Sequence, residues 1–260
     1  MTRYGIVGFG RIGRRLAVRM PGVAAVLVRP AQAPEAAALV GSAAVCTSLD
    51  AFVARGPAVA IECASASMLA ETGPLLLAHG TDLIPLSLTA FADPRIERRL
   101  MDAADVGPGR LEIAPGAIGT LDLLATAREE GLSRVIYRQL KSPAMWRLTP
   151  AERLADLASI ETRHVFFKGS VREVARHFPN NLNTSVGVAL AGLGLDRTEA
   201  ELVADPAISE TGHELEIHAA PGNVVLKLGG RNVPPDGDPI DYTTFSLMRL
   251  LKRREARVAI

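Results

Sequence analysis

The sequence predicts an α/β protein: a doubly wound parallel sheet followed by a mixed, more antiparallel sheet with helices on one side. Three observations predict it. Short apolar runs alternate with helix-length amphipathic segments through the first part of the chain, a glycine triplet follows the first run, and from about residue 117 alternating runs replace the continuous ones.

In chain order, Tyr4–Val7 reads as a strand and Arg11–Met20 as a helix. The runs Val23–Val28, Ala58–Glu62, Asp82–Leu86 and Leu111–Ala114 read as further buried strands, and the alanine-rich Ala31–Ala44 fits a helix. Ala117–Glu130 reads as a helix opening the second region. Strands are expected at Arg134–Lys141, Arg163–Lys168, Glu199–Ala204, His213–His218 and Val224–Leu228, and helices at Pro150–Leu157, Val171–His177 and Thr184–Leu193. In Tyr242–Arg254, Phe245, Leu247, Met248, Leu250 and Leu251 recur on a helical period, and the basic end suits the negative pole of a helix dipole.

Composition narrows the function. The chain has 260 residues, 48% of them apolar, with 29 Lys and Arg against 28 Asp and Glu for a net charge of +1. That balance argues against a nucleic-acid binder, which usually carries a basic excess. No window approaches the roughly 18 apolar residues of a membrane span. The start, Met1-Thr2-Arg3-Tyr4-Gly5, reads directly into a strand without an apolar signal core. Cys46 and Cys63 are too few for a disulfide framework or a metal cluster, so no metal is expected. The expectation is a reduced, cytoplasmic, soluble protein.

The segment Gly8-Phe9-Gly10-Arg11-Ile12-Gly13 joins the first strand to the first helix as G-x-G-x-x-G. Gly8 permits the tight turn, Gly10 lets a pyrophosphate approach the backbone, and Gly13 lets helix and strand pack closely. The helix N-terminus offers N–H donors to phosphate, with Arg11 and Ile12 inside the loop. An acidic residue that would bind the adenine ribose is expected about 20 residues on, but Leu27, Val28, Arg29 and Pro30 stand there. Arg29 can pair with a 2′-phosphate, so NADP is expected to be accepted, and even preferred over NAD; the alternative is that Arg29 stacks on adenine or faces water.

Hydride transfer also requires an acid–base group, for which histidine is the usual choice. His79 reads as a helix cap, and His164 and His177 as surface residues. His213 and His218 face opposite sides of one strand, and either suits a cleft. Cys63, with Ala64, follows a strand where cofactor crevices lie; it reads as a small packing residue rather than a nucleophile. Arg11, Arg14, Arg15 and Arg19 read as the solvated face of the first helix.

Further motifs follow in order: Pro115-Gly116-Ala117-Ile118-Gly119-Thr120-Leu121-Asp122, Lys141-Ser142-Pro143, Phe178-Pro179-Asn180-Asn181-Leu182-Asn183, and Ala204-Asp205-Pro206 with His213 beyond. Together with the glycine loop they make the chain resemble the L-aspartate dehydrogenase family over nearly its whole length. The resemblance implies a Rossmann domain (1–116), an inserted α+β catalytic and dimerisation domain (117–241) and a C-terminal helix (242–260) returning to the first domain, in a homodimer. It implies NAD(P)-dependent, reversible oxidative deamination of L-aspartate to oxaloacetate and ammonia through iminosuccinate. His213 takes the catalytic position, and Ala117 and Asn183 take positions contacting the nicotinamide cofactor. Lys141 is the first choice for holding the small acidic substrate, and Asp205 reads as a turn cap. The chain departs from the family pattern at Thr89, Pro115, Thr120, Gly212 and Asp241. The other readings are a reductase of a different imine or 2-oxo acid, and a non-catalytic NAD(P)-binding sensor.

Overall fold

The structure is a computed structural model that describes residues 2–129, 131–179, 182–230 and 242–258. Asn180, Asn181 and Asp241 of the motifs above, and Glu130 at the expected helix end, lie outside the described residues. The chain divides into two units, Met1–Ala114 with Thr244–Ile260, and Pro115–Thr243.

The first unit contains β1 (Tyr4–Val7), α1 (Arg11–Arg19), β2 (Val23–Leu27), α2 (Ala33–Val40), β3 (Val45–Cys46), α3 (Leu49–Ala54), β4 (Val59–Glu62), α4 (Ala66–Ala78), β5 (Asp82–Pro85) and α5 (Pro94–Val106). The five strands are all parallel in the order β3-β2-β1-β4-β5. β1 and β4 are buried at every position, which is why they read as continuous apolar runs rather than alternating ones. Chain order reverses across β1 and β4, and the crevice beyond their carboxyl ends is where such sheets bind ligands.

The second unit contains α6 (Leu121–Glu129), β6 (Leu132–Lys141), α7 (Pro143–Trp146), β7 (His164–Ser170), α8 (Val171–His177), α9 (Asn183–Ala191), β8 (Glu199–Ala204), β9 (Gly212–Ala219) and β10 (Gly222–Leu228). Its sheet order is β10-β9-β6-β8-β7, with β6 and β8 parallel and the other pairs antiparallel. The final helix, α10 (Tyr242–Glu255), belongs almost wholly to the first unit. Its Leu247, Leu250 and Leu251 pack with Tyr4, Ile6, Phe9 and Leu16, each buried leucine contributing about 1.5–3 kcal/mol. Arg254 at its end bridges Asp82 and Glu112 at 2.8 and 2.7 Å.

Several local expectations are corrected. Leu111–Ala114 is not a strand: Leu111 alone bridges to Leu83, because the segment is pinched between Gly107-Pro108-Gly109 and Pro115. The second-region helix starts at Leu121 rather than Ala117, since Gly116 and Gly119 take φ of 61° and 69°, outside helical geometry. Pro150–Leu157 forms only a short 3-10 turn, Pro150–Arg153. Beyond it the Asp156 carboxylate takes the Ala158 N–H at 3.2 Å, a local bond that competes with helix continuation. Ala31–Ala44 is broken at Gly41, leaving α2 flanked by two 3-10 turns. The two-residue edge strand β3 carries too little pattern to be read.

Candidate active site

The glycine loop is built for a ligand backbone. Gly8 has φ of 103°, and a Cβ there would sit 2.7 Å from the Ala64 Cβ. A Cβ at Gly13 would run into the Gly8 carbonyl and come within 3.4 Å of the Cys63 Sγ. At Gly10, by contrast, a Cβ would meet nothing within 4 Å. Two of the glycines therefore close the loop on its own neighbours and the middle one faces open space, as a cradle for pyrophosphate requires. Gly10 is also the N-cap of α1, with no side-chain cap and no acidic residue in the first turn, so the positive end of the helix dipole faces the loop without a carboxylate of its own.

A cavity of about 690 Å³ adjoins the loop, and Arg29, Cys63, Ala64 and Glu71 are on its wall. That size suits a small-molecule site. Arg29 Nε donates to Gln32 Oε1 at 3.2 Å, and Gln32 Nε2 donates to the Phe9 carbonyl at 3.1 Å, tying the end of β2 to the glycine loop. The Cys63 Sγ lies 3.5 Å from the Val7 carbonyl, and burial pushes its thiol well up from the ordinary range. A thiol held protonated in this way packs rather than attacks.

Glu62, which the sequence reading passed over, organises this wall. It ends β4, is completely buried, and accepts from the Ala64 and Ser65 amides at 2.7 and 3.1 Å. Ser87 adds its amide at 3.1 Å and its hydroxyl at 2.8 Å. Burial raises the Glu62 pKa, and the four donors act against that rise. One carboxylate thus pins the loops after β4 and β5. A glutamate ending an apolar strand was the available signal.

In the second unit the sheet register assembles a different kind of site. His213 pairs with Gln139 across β6 and β9, so Tyr137, Gln139 and Lys141 share its face. Tyr137 Oη lies 2.7 Å from His213 Nδ1. Burial, and then the charge of Lys141, lower the His213 pKa to about 4. Its imidazole is therefore neutral at physiological pH. The Lys141 ammonium stands 4.6 Å from the Trp146 ring centroid, and Trp146 is itself anchored by its indole N–H to the Val203 carbonyl at 2.9 Å.

The other candidates fall elsewhere. Ala117 occupies the turn before α6, and Asn183 is the first residue of α9, beside Thr184, whose side chain acts against the burial-driven rise of the Tyr137 pKa. His218 is on the opposite face of β9 from His213 and bonds Glu216 at 2.7 Å. The His79 Nδ1 lies 2.7 Å from the Leu75 carbonyl at the end of α4. Asp205 accepts from the Ala207 amide at 2.9 Å as a turn cap. Arg14 is paired with Glu35 at 2.6 Å, so the first helix's basic face is partly ion-paired rather than simply solvated. Among the described residues no cluster suits a metal ion, and no helix is long and apolar enough to cross a membrane.

A parallel α/β sheet with a glycine-cradled crevice, together with a unit carrying a neutral, half-buried histidine, defines the class: a nicotinamide-dependent oxidoreductase. The family model described as "Homoserine dehydrogenase, NAD binding domain" matches residues 8–113, and that described as "Aspartate dehydrogenase, C-terminal" matches 122–254. The L-aspartate dehydrogenase of Serratia proteamaculans is 37% identical over 97% of this chain and 97% of its own. That of Cupriavidus necator is 35% identical over 100% of both chains. In fold, the chain is similar to the crystal structure of aspartate dehydrogenase from Thermotoga maritima, with a TM-score of 0.77 and 23% identity over 100% of this chain and 99% of that one. The chain belongs to the aspartate dehydrogenase family.

Proposed function

We propose that this protein oxidatively deaminates L-aspartate to oxaloacetate and ammonia through iminosuccinate, reversibly, with NAD or NADP. The observation that carries the reading is His213: a neutral imidazole with Nδ1 engaged by Tyr137 and Nε2 left for the reactants, on the same strand face as Lys141. Family membership supplies the substrate class.

A bound nicotinamide would accept the hydride lost from the substrate Cα, and Gly8, Gly10, Arg11, Ile12, Gly13 and Ala64 would hold its pyrophosphate side, with Ala117 and Asn183 toward the nicotinamide. Loss of hydride from the neutral amine leaves an iminium ion, the protonated form of the imine. Water then adds to that carbon while His213 Nε2 takes the water proton, and collapse of the carbinolamine expels ammonia. In the reverse direction the same nitrogen returns the proton to the departing hydroxyl. Lys141 pairs with a substrate carboxylate, a charge-assisted contact that suits a dicarboxylate.

The absence of a carboxylate beside Arg29 supports acceptance of NADP. The second unit is read as the catalytic and dimerisation domain of a cytoplasmic homodimer, a reading supported by the family resemblance; light scattering on the purified protein would test the dimer. The decisive assay follows NADH and NADPH oxidation with oxaloacetate, with and without ammonia, beside a panel of other 2-oxo acids. Ammonia-dependent turnover strongest with oxaloacetate is expected. Turnover without ammonia, or a preference for another oxo acid, would overturn the substrate assignment.

A further inference from the structure

We propose that Tyr137 is a positioning residue for this reaction: its hydroxyl fixes the ring orientation and tautomer of His213, so that Nε2 is the nitrogen that works. The inference rests on the acid–base reading of His213 and goes beyond it by assigning how that histidine is held.

Four observations carry it. Tyr137 pairs with Leu215 and Gln139 with His213, so Tyr137 and His213 are diagonal neighbours on one face of the β6–β9 pair, within reach of aromatic side chains. The Oη–Nδ1 distance is 2.7 Å and the ring centroids are 5.9 Å apart. Tyr137 is wholly buried, and burial raises its pKa so that the phenol stays protonated. The Thr184 side chain, from α9, acts on the phenol against that rise. A buried phenol usually finds a hydrogen-bond partner, and the His213 Nδ1 stands within 2.7 Å of this one. The neutral tautomer that leaves Nε2 bare carries its proton on Nδ1, which donates to the Tyr137 oxygen; Nδ1 keeps that proton when Nε2 takes one, so the hydroxyl accepts in both states. A phenyl ring in its place fills the same space and holds neither state.

The charged groups around His213 do not substitute for that bond. Lys141 comes from β6 and affects the imidazole through its charge. Glu210 and Lys227 share a cavity wall with His213, yet Lys227 lies 3.5 Å from the Glu214 carboxylate.

The test compares wild type, Tyr137→Phe, His213→Ala and the double variant, with labelled-histidine ¹⁵N spectra at neutral pH. A pyrrole-type Nδ1 and a pyridine-type Nε2 are expected for His213 in wild type, moving toward averaged shifts in Tyr137→Phe; the reverse assignment in wild type would overturn the proposal. The kcat of Tyr137→Phe should fall about tenfold, the loss of roughly one hydrogen bond, with KM for coenzyme and aspartate within twofold. In the His213→Ala background the same change should cost less than twofold. Unchanged kcat and ¹⁵N shifts in Tyr137→Phe, alongside a damaged His213→Ala, would overturn the role of Tyr137 alone. An equal loss in both backgrounds would overturn it too. A fully active His213→Ala would overturn the acid–base reading beneath it. If Tyr137→Phe does not fold, the wild-type spectrum still decides, because averaged shifts there would mean that no tautomer is fixed.

Discussion

The crevice of the first unit and the His213 site of the second are made of different material. The crevice is largely backbone: Gly8, Gly10 and Gly13 contribute by lacking side chains, and Glu62 holds amides and a serine in place. The His213 site is side chains, drawn by sheet pairing and helix packing from β6, α9 and β9, with Tyr137 and His213 separated by 76 positions. A backbone site demands absences at fixed spacing and leaves a written string. A side-chain site demands only that residues arrive on the same face, which no short string records.

That contrast says which substitutions should damage which function. The largest expected effect is at His213. Replacing it with Ala should lower kcat by about 10²–10⁴, while coenzyme affinity, measured by fluorescence titration, stays within twofold. Because burial and Lys141 hold the imidazole pKa near 4, activity that requires neutral His213 should persist well below pH 6.5 and fall as pH drops through about 4. An acid limb of kcat/KM at 6.5 would contradict the buried setting, and Lys141→Met should move the limb upward.

Gly13→Ala should do the converse. The added methyl group meets the Gly8 carbonyl, and such overpacking costs about 1–3 kcal/mol. Coenzyme affinity should drop about tenfold or more, while the ¹⁵N pattern of His213 is retained. Loss of both signals together would mean that the two sites are not separable in this way.

Arg29→Ala sharpens the comparison within the crevice, since Arg29 is a side chain in a site otherwise made of backbone. NADPH affinity should fall about tenfold, the scale of one charge-assisted hydrogen bond, with NADH affinity unchanged. Equal effects on the two would remove the 2′-phosphate assignment.

The smallest effect is expected away from both sites. Leu148 is 97% exposed and has φ of 60°, the left-handed region that a branched side chain disfavours. Leu148→Gly should stabilise by about 1 kcal/mol, from relief of about 1–2 kcal/mol offset by glycine's greater chain entropy. Calorimetry should register a rise of a few degrees in Tm, with kcat unchanged.

How much was legible follows the same division. Continuous apolar runs marked β1, β2, β4 and β5, because strands buried on both faces need no polar positions. Leu111–Ala114 carries the same composition and fails as a strand, since flanking Gly and Pro leave it one paired residue. Pro150–Leu157 has helical periodicity, and the Asp156 side chain diverts it. The motif resemblance points to His213 and Lys141, whereas Tyr137, two strand repeats before Lys141 on the same face, belongs to no such motif. Thr184 carried no local signal that separates it from an ordinary helix residue, whereas Glu62 was marked only by being a carboxylate at the end of an apolar strand.

By itself the sequence determined the fold class, the glycine cradle and the missing ribose carboxylate, because each is a matter of residue type at fixed short spacing along one chain segment. The tertiary structure alone decided that Glu62 clamps two loops, that Tyr137 engages Nδ1, and that burial with Lys141 keeps His213 neutral. Those depend on which strands pair, in what register and how deeply, and such long-range contacts follow from packing the whole unit rather than from any stretch of it.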